Sequence, residues 1–72
     1  MPYASNVDLP ASIRGHLPSH AQDIFREAFN NAWRRYAASE PARIEEIAHQ
    51  IAWGAVKRSY RKLGSDWVRI DR

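Results

Sequence analysis

Three histidines, a serine beside one of them and a dense basic run are the residues of this 72-residue chain whose types could do chemistry. His16 and His20 are four apart, the spacing at which two histidines on one helix face share a metal. Pro18 lies between them, and a proline there keeps the two off a common helix. His20 is instead expected in a first helical turn, donating to a loop carbonyl. Glu46 and His49 have the Glu-x-x-His spacing of carboxylate metal centres, but those centres use two copies and further carboxylates. This chain has one copy, so no metal site is predicted, and His49 is expected to pair with Glu45 or Glu46 at the surface. Ser19 has no partner relay visible in the sequence, and a helix-capping role accounts for it. Asp23 and Glu27 fall in early turns, where negative charge favours the helix dipole. The three glycines are scattered and build no phosphate loop. No catalytic residue and no cofactor site is assigned, and the chain reads as non-enzymatic.

The basic run is the remaining lead. Lys57, Arg58, Arg61 and Lys62 are expected in the last turns of a third helix, Arg34 and Arg35 close a second, and Arg69 and Arg72 end the chain. Cations near helix C-termini each offset the dipole by about 0.3–1 kcal/mol. Four within six residues exceed that need, which makes Lys57, Arg58, Arg61 and Lys62, with Arg34 and Arg35, the candidate contacts for a partner or a nucleic acid. A helix-turn-helix reader would place base contacts early in its second helix. Glu45 and Glu46 occupy that position here and repel phosphate. Any nucleic-acid contact would be sequence-independent, made to phosphates by the basic end.

The elements that must position these residues follow from the apolar pattern. Over Leu17 to Tyr36, the residues Ala21, Ile24, Phe25, Ala28, Phe29, Ala32, Trp33 and Tyr36 recur at steps of three and four, the spacing of one helical face. Ser19 is placed as N-cap with Gln22 completing a capping box, and the helix is expected over Ser19 to Ala38. Upstream, Asp8 is positioned to cap a short helix near Pro10 to Gly15 with Ile13 and Leu17 facing inward. Downstream, a turn at Ala38 to Pro41 leads to a third helix. Pro41 is its first residue, Ser39 or Glu40 its cap and Gly64 its terminator.

The third helix carries two apolar faces, about 120° apart at about 100° per residue. Ile44, Ile47, Ala48, Ile51 and Ala55 form one; His49, Trp53, Val56 and Tyr60 form the other. So wide an arc predicts a central helix, with one face on the second helix and the other covered by the chain ends. Gly54 and Ala55 would permit close approach. Phe25, Phe29, Trp33, Ile51 and Trp53 are the expected core. Asp66 to Asp71 reads as a short strand, and the segment around Tyr3 as its partner. The expected fold is therefore mainly α: a short helix and two long antiparallel helices in one compact domain over residues 1–72, with a small two-stranded sheet joining the chain ends.

Composition bounds the rest. With no cysteine there is neither a disulfide framework nor a thiolate metal site, and the aromatic residues must supply much of the buried area. A chain this short buries only about 60% of its unfolded surface, and a stability of about 4–11 kcal/mol is expected. No apolar run reaches the roughly 20 residues of a membrane span. The opening MPYASNVDLP lacks the layout of a signal peptide. A cytoplasmic location without membrane insertion is the expectation. The net charge of +3 and pI near 9.8 are compatible with an anionic partner.

Several strings resemble the ChaB family. They are Leu17-Pro18-Ser19-His20-Ala21-Gln22-Asp23-Ile24-Phe25, then Ala28-Phe29-Asn30-Asn31-Ala32-Trp33, and Ala48-His49-Gln50-Ile51-Ala52-Trp53-Gly54-Ala55-Val56-Lys57 with Tyr60. Leu9-Pro10 and Trp67 also fall where that family has them. The motif positions are thus Ser19, His20, Gln22, Phe29, Trp33, His49, Trp53, Tyr60 and Trp67. The resemblance implies three helices with a small sheet. It also implies a regulator of sodium/calcium-proton transport acting on a cytoplasmic protein partner, an antiporter by analogy, with nucleic-acid binding as the alternative.

Overall fold

Leu9, Ile13 and Leu17 recur every four residues, and all three are buried. They belong to the N-terminal third of the chain in a computed structural model that describes residues 2–70; Asp71 and Arg72, read above as the end of the strand and of the basic set, lie outside it. A 3-10 turn spans Asn6–Asp8, and the short helix α1 spans Ala11–Arg14. Asp8 does not cap α1. Its carboxylate turns back to accept the Ser5 N–H at 3.3 Å.

Helix α2 covers Ser19–Tyr36 and α3 covers Ile44–Ser59. Ser19 is the first helical residue of α2 and its side chain makes no capping bond. The reading of a Ser19–Gln22 capping box is therefore corrected: Gln22 Nε2 donates to the carbonyls of Leu17 at 2.8 Å and Arg14 at 3.3 Å, joining α2 to the end of α1. The turn between the long helices is longer than expected. Residues 37–43 stay outside both helices, so Pro41 precedes α3 instead of opening it, and neither Ser39 nor Glu40 is its cap.

The helices lie antiparallel and bury Ala21, Phe25, Phe29 and Ala32 of α2 against Ile44, Ala48, Ala52 and Val56 of α3. The α3 stripe is spaced by four and crosses from the first face read from the sequence, at Ile44 and Ala48, through Ala52 to the second, at Val56. Ile51 falls beyond its edge and is 39% exposed, a correction to the expected core. Trp33 and Trp53 are half-buried. Close approach comes from Ala48 and Ala52, both fully buried, and not from Gly54, whose missing Cβ would meet nothing within 4 Å.

The third helix ends at Ser59, four residues early, and Tyr60–Leu63 becomes strand β1. It pairs antiparallel with β2, Asp66–Arg69, in the register Tyr60↔Arg69, Arg61↔Val68, Lys62↔Trp67 and Leu63↔Asp66. Gly64 is not a helix terminator. It is the first residue of a two-residue hairpin turn, at φ 61°, where a glycine is favoured. The sheet therefore does not join the chain ends. Tyr3 pairs with no strand: its backbone bonds the Asn30 side chain and its ring packs on Phe29, with centroids 4.9 Å apart.

Candidate functional site

The hairpin changes the geometry of the basic run. Lys57 and Arg58 end α3, while Arg61 and Lys62 sit on β1. Successive strand residues point to opposite faces. Lys62 therefore shares the face of buried Tyr60 and of Trp67, opposite it in register, and Arg61 points to the other face with Leu63. The structure brings Lys57 and Lys62 together and sends Arg61 elsewhere. Arg34 and Arg35 are not part of this surface. They close α2 at the opposite pole, where Arg34 bonds Asn31 and the Arg35 guanidinium lies 5.6 Å from the Tyr36 ring centroid.

Lys57 and Lys62 flank an open cleft of about 420 Å³ that is also lined by His16, Trp53, Ser65 and Trp67. Its floor is an indole pair: Trp53 and Trp67 have ring centroids 5.3 Å apart at 31°. Trp53 is fixed from two sides. Its Nε1–H donates to His49 Nε2 at 2.9 Å, and its ring meets the Phe25 edge at 5.3 Å. His49 thus pairs with the indole one turn on, not with Glu45 or Glu46, and Glu46 faces Arg43 instead. As an acceptor at Nε2, a neutral His49 carries its proton on Nδ1.

The hairpin is anchored where it leaves α3. His20 Nδ1 lies 3.1 Å from the Tyr60 hydroxyl, so His20 meets a side chain and not a loop carbonyl. The remaining motif positions, Phe29 and Trp33, stack at 5.8 Å inside and beside the core. The ion pairs among the described residues join Arg26 to Asp23 and Arg43 to Glu40 and Glu46; none uses Lys57, Arg58, Arg61 or Lys62.

A second cleft, of about 500 Å³, lies on the other side of His49 between Tyr3, Phe29, Glu45 and Glu46. Burial pushes the Tyr3 phenol above its ordinary value, and the negative charge of Glu45 adds to the shift. Among the described residues no three His, Asp or Glu side chains are grouped so as to hold a metal, and no helix is long and apolar enough to cross a membrane.

Sequence reasoning missed His16 and Ser65 as cleft residues. Two residues, Gly64-Ser65, between strand-compatible flanks are a hairpin signal, and reading them so would have placed Lys62 opposite Trp67.

The family model for ChaB matches residues 9–69. The protein named "Putative cation transport regulator ChaB" in Escherichia coli (strain K12) is 51% identical over 70 residues, covering 92% of this chain and 92% of its own. Its namesake in Shigella flexneri matches to the same extent. The NMR solution structure of a protein of that name superposes with a TM-score of 0.84 at 47% identity, covering 97% of this chain and all of that one.

Proposed function

This chain belongs to the ChaB family, and on that premise we propose that it regulates cation transport by binding a protein partner, by analogy a sodium/calcium-proton antiporter at its cytoplasmic side. The relatives supply the transport role through their name. The observation that favours binding through the hairpin end is the set Lys57, Arg58, Arg61 and Lys62. None of these four is ion-paired among the described residues, and two of them, Lys57 and Lys62, flank a half-buried aromatic pair. Unpaired cations beside half-buried indoles suit an interface whose core is aromatic and whose rim is polar. The alternative, sequence-independent nucleic-acid binding, draws on the same cations, but the strand alternation divides Arg61 from Lys62 and breaks the strip a phosphate backbone would follow.

The test is exchange in everted membrane vesicles that contain such an antiporter and come from a strain lacking its own copy of this protein. Purified protein should shift the sodium- or calcium-driven proton flux in a saturable way. A flux unchanged at saturating protein would overturn the transport role.

A further inference from the structure

We propose that the Trp53–Trp67 cleft seats an acidic segment of the protein partner, with one apolar side chain on the indoles and carboxylates on either side reaching Lys57 and Lys62. This rests on the protein-binding reading above and names the chemistry of that partner. The cleft holds about 420 Å³, within the range that takes a small ligand or a side chain with its neighbours. Its floor is apolar and braced, because His49 holds the Trp53 N–H and Phe25 backs the ring. Its polar rim is basic: Lys57 and Lys62 line it with His16 and Ser65, and no carboxylate of the described residues does. Asp66, the acidic residue nearest in sequence, sits opposite Leu63 and so alternates to the far face of the hairpin. Arg58 and Arg61 extend the positive field beyond the cleft, steering an anionic segment toward it. The two indoles lean on each other at 5.3 Å and 31°, which leaves a notch for one side chain and no row of separate faces for successive bases. The observations therefore favour an acidic peptide over a nucleic acid.

The experiment follows the indole N–H resonances of the full chain on titration with a blocked peptide, Glu-Glu-Phe-Glu-Glu, and with its counterpart in which lysine replaces glutamate. The acidic peptide should move the Trp53 and Trp67 signals and leave Trp33, at the other pole, in place. The double variant Lys57→Glu, Lys62→Glu should weaken binding about tenfold or more while its Trp33 signal and helical circular dichroism stay unchanged. Three results would overturn the proposal: no shift at millimolar acidic peptide, equal binding of the lysine peptide, or displacement of the peptide by oligothymidylate acting on the same indoles. Movement of those indoles with protein concentration alone would assign the cleft to a second copy and equally overturn it. The double variant also separates this idea from the transport role. If wild type and variant shift vesicle flux equally, the cleft assignment fails and the transport role stands. If the peptide binds but wild type leaves flux unchanged, the transport role fails and the cleft stands.

Discussion

The side-chain amide of Asn30 holds the backbone of Tyr3 by both its atoms: Oδ1 accepts the Tyr3 N–H at 2.8 Å, and Nδ2 donates to the Tyr3 carbonyl at 2.8 Å. One side chain on α2 thus does for a single residue what a neighbouring strand would do. Asn30→Ala should cost about 1–3 kcal/mol, because two partly buried backbone groups lose their partner. Asn30→Asp keeps the acceptor but sets a carboxylate oxygen against the Tyr3 carbonyl, so it should destabilise at least as much. Thermal unfolding reads both at about 4–8 °C per kcal/mol. An N-terminal segment whose Tyr3 amide exchanges no faster in Asn30→Ala would show that the clamp is idle.

The phenol of the same residue gives a pH signature. Burial and the negative charge of Glu45 disfavour the phenolate, so the folded state keeps the Tyr3 proton to higher pH than the unfolded chain does. Stability from this residue is then fully present below about pH 10, the ordinary tyrosine value, and falls as pH rises beyond it. Ultraviolet titration should show a late tyrosine component that Tyr3→Phe removes. A titration curve of the same shape in Tyr3→Phe would contradict the assignment.

In the core, Phe25 is packed among three other rings. It is 1% exposed, and Phe29, His49 and Trp53 lie around it with ring centroids at 6.2, 5.7 and 5.3 Å. Phe25→Ala should cost about 3–5 kcal/mol, a large share of a total of about 4–11 kcal/mol. Trp33→Ala, at a half-buried position, should cost less. The reverse order of midpoints in urea would refute this account of the core.

Tyr60 tests the tie to His20. Tyr60→Phe preserves the buried ring and deletes the hydroxyl, so it should cost about 0.5–1.5 kcal/mol. His20→Ala should cost a similar amount, and the two losses together should fall short of their sum if they act through one bond. Strict additivity in the double variant would mean that the 3.1 Å approach contributes nothing.

Gly64 tests the hairpin. At φ 61° any other side chain is strained by about 1–2 kcal/mol, while the space around its missing Cβ is open. Gly64→Ala should therefore loosen the strands through backbone strain alone, seen as a changed Trp67 environment in near-ultraviolet circular dichroism. Gly54→Ala, inside α3 with nothing within 4 Å of the added carbon, should instead stabilise the helix. Equal effects at the two positions would be inconsistent with the turn described.

Helix α2 was legible because its apolar residues keep one period from Ala21 to Tyr36 and no competing signal interrupts them. The last third of the chain was harder. Arg58, Arg61, Lys62 and Leu63 are all good helix formers, and nothing in their types announces a change of period at Tyr60. The ladder to Trp67 and the buried Tyr60 ring outweigh that propensity, a tertiary preference that local reading does not contain. Ile51 was misplaced for a related reason. Alanines at 48 and 52 let the helices meet along a narrow seam, and the larger isoleucine is left beside it. The cleft depends on both points. Its indoles were visible in the sequence as covered aromatics, but their pairing with Lys57 and Lys62 exists only once the strand turns back at Gly64.

Ser59 closes α3 and Tyr60 opens β1 with no residue between them. The Tyr60 N–H still bonds the Val56 carbonyl, and the Ile70 N–H returns to the Ser59 carbonyl at 2.8 Å. In mechanical terms the hairpin is a crank fixed to a shaft, not a flap on a pin. A load applied at the Gly64 tip has no joint in which to dissipate, so it reaches the long helix as torque. The far end of that shaft carries Glu45 and Glu46 beside the Tyr3 cleft. Two clefts with no lining side chain in common thus stand on one continuous helix.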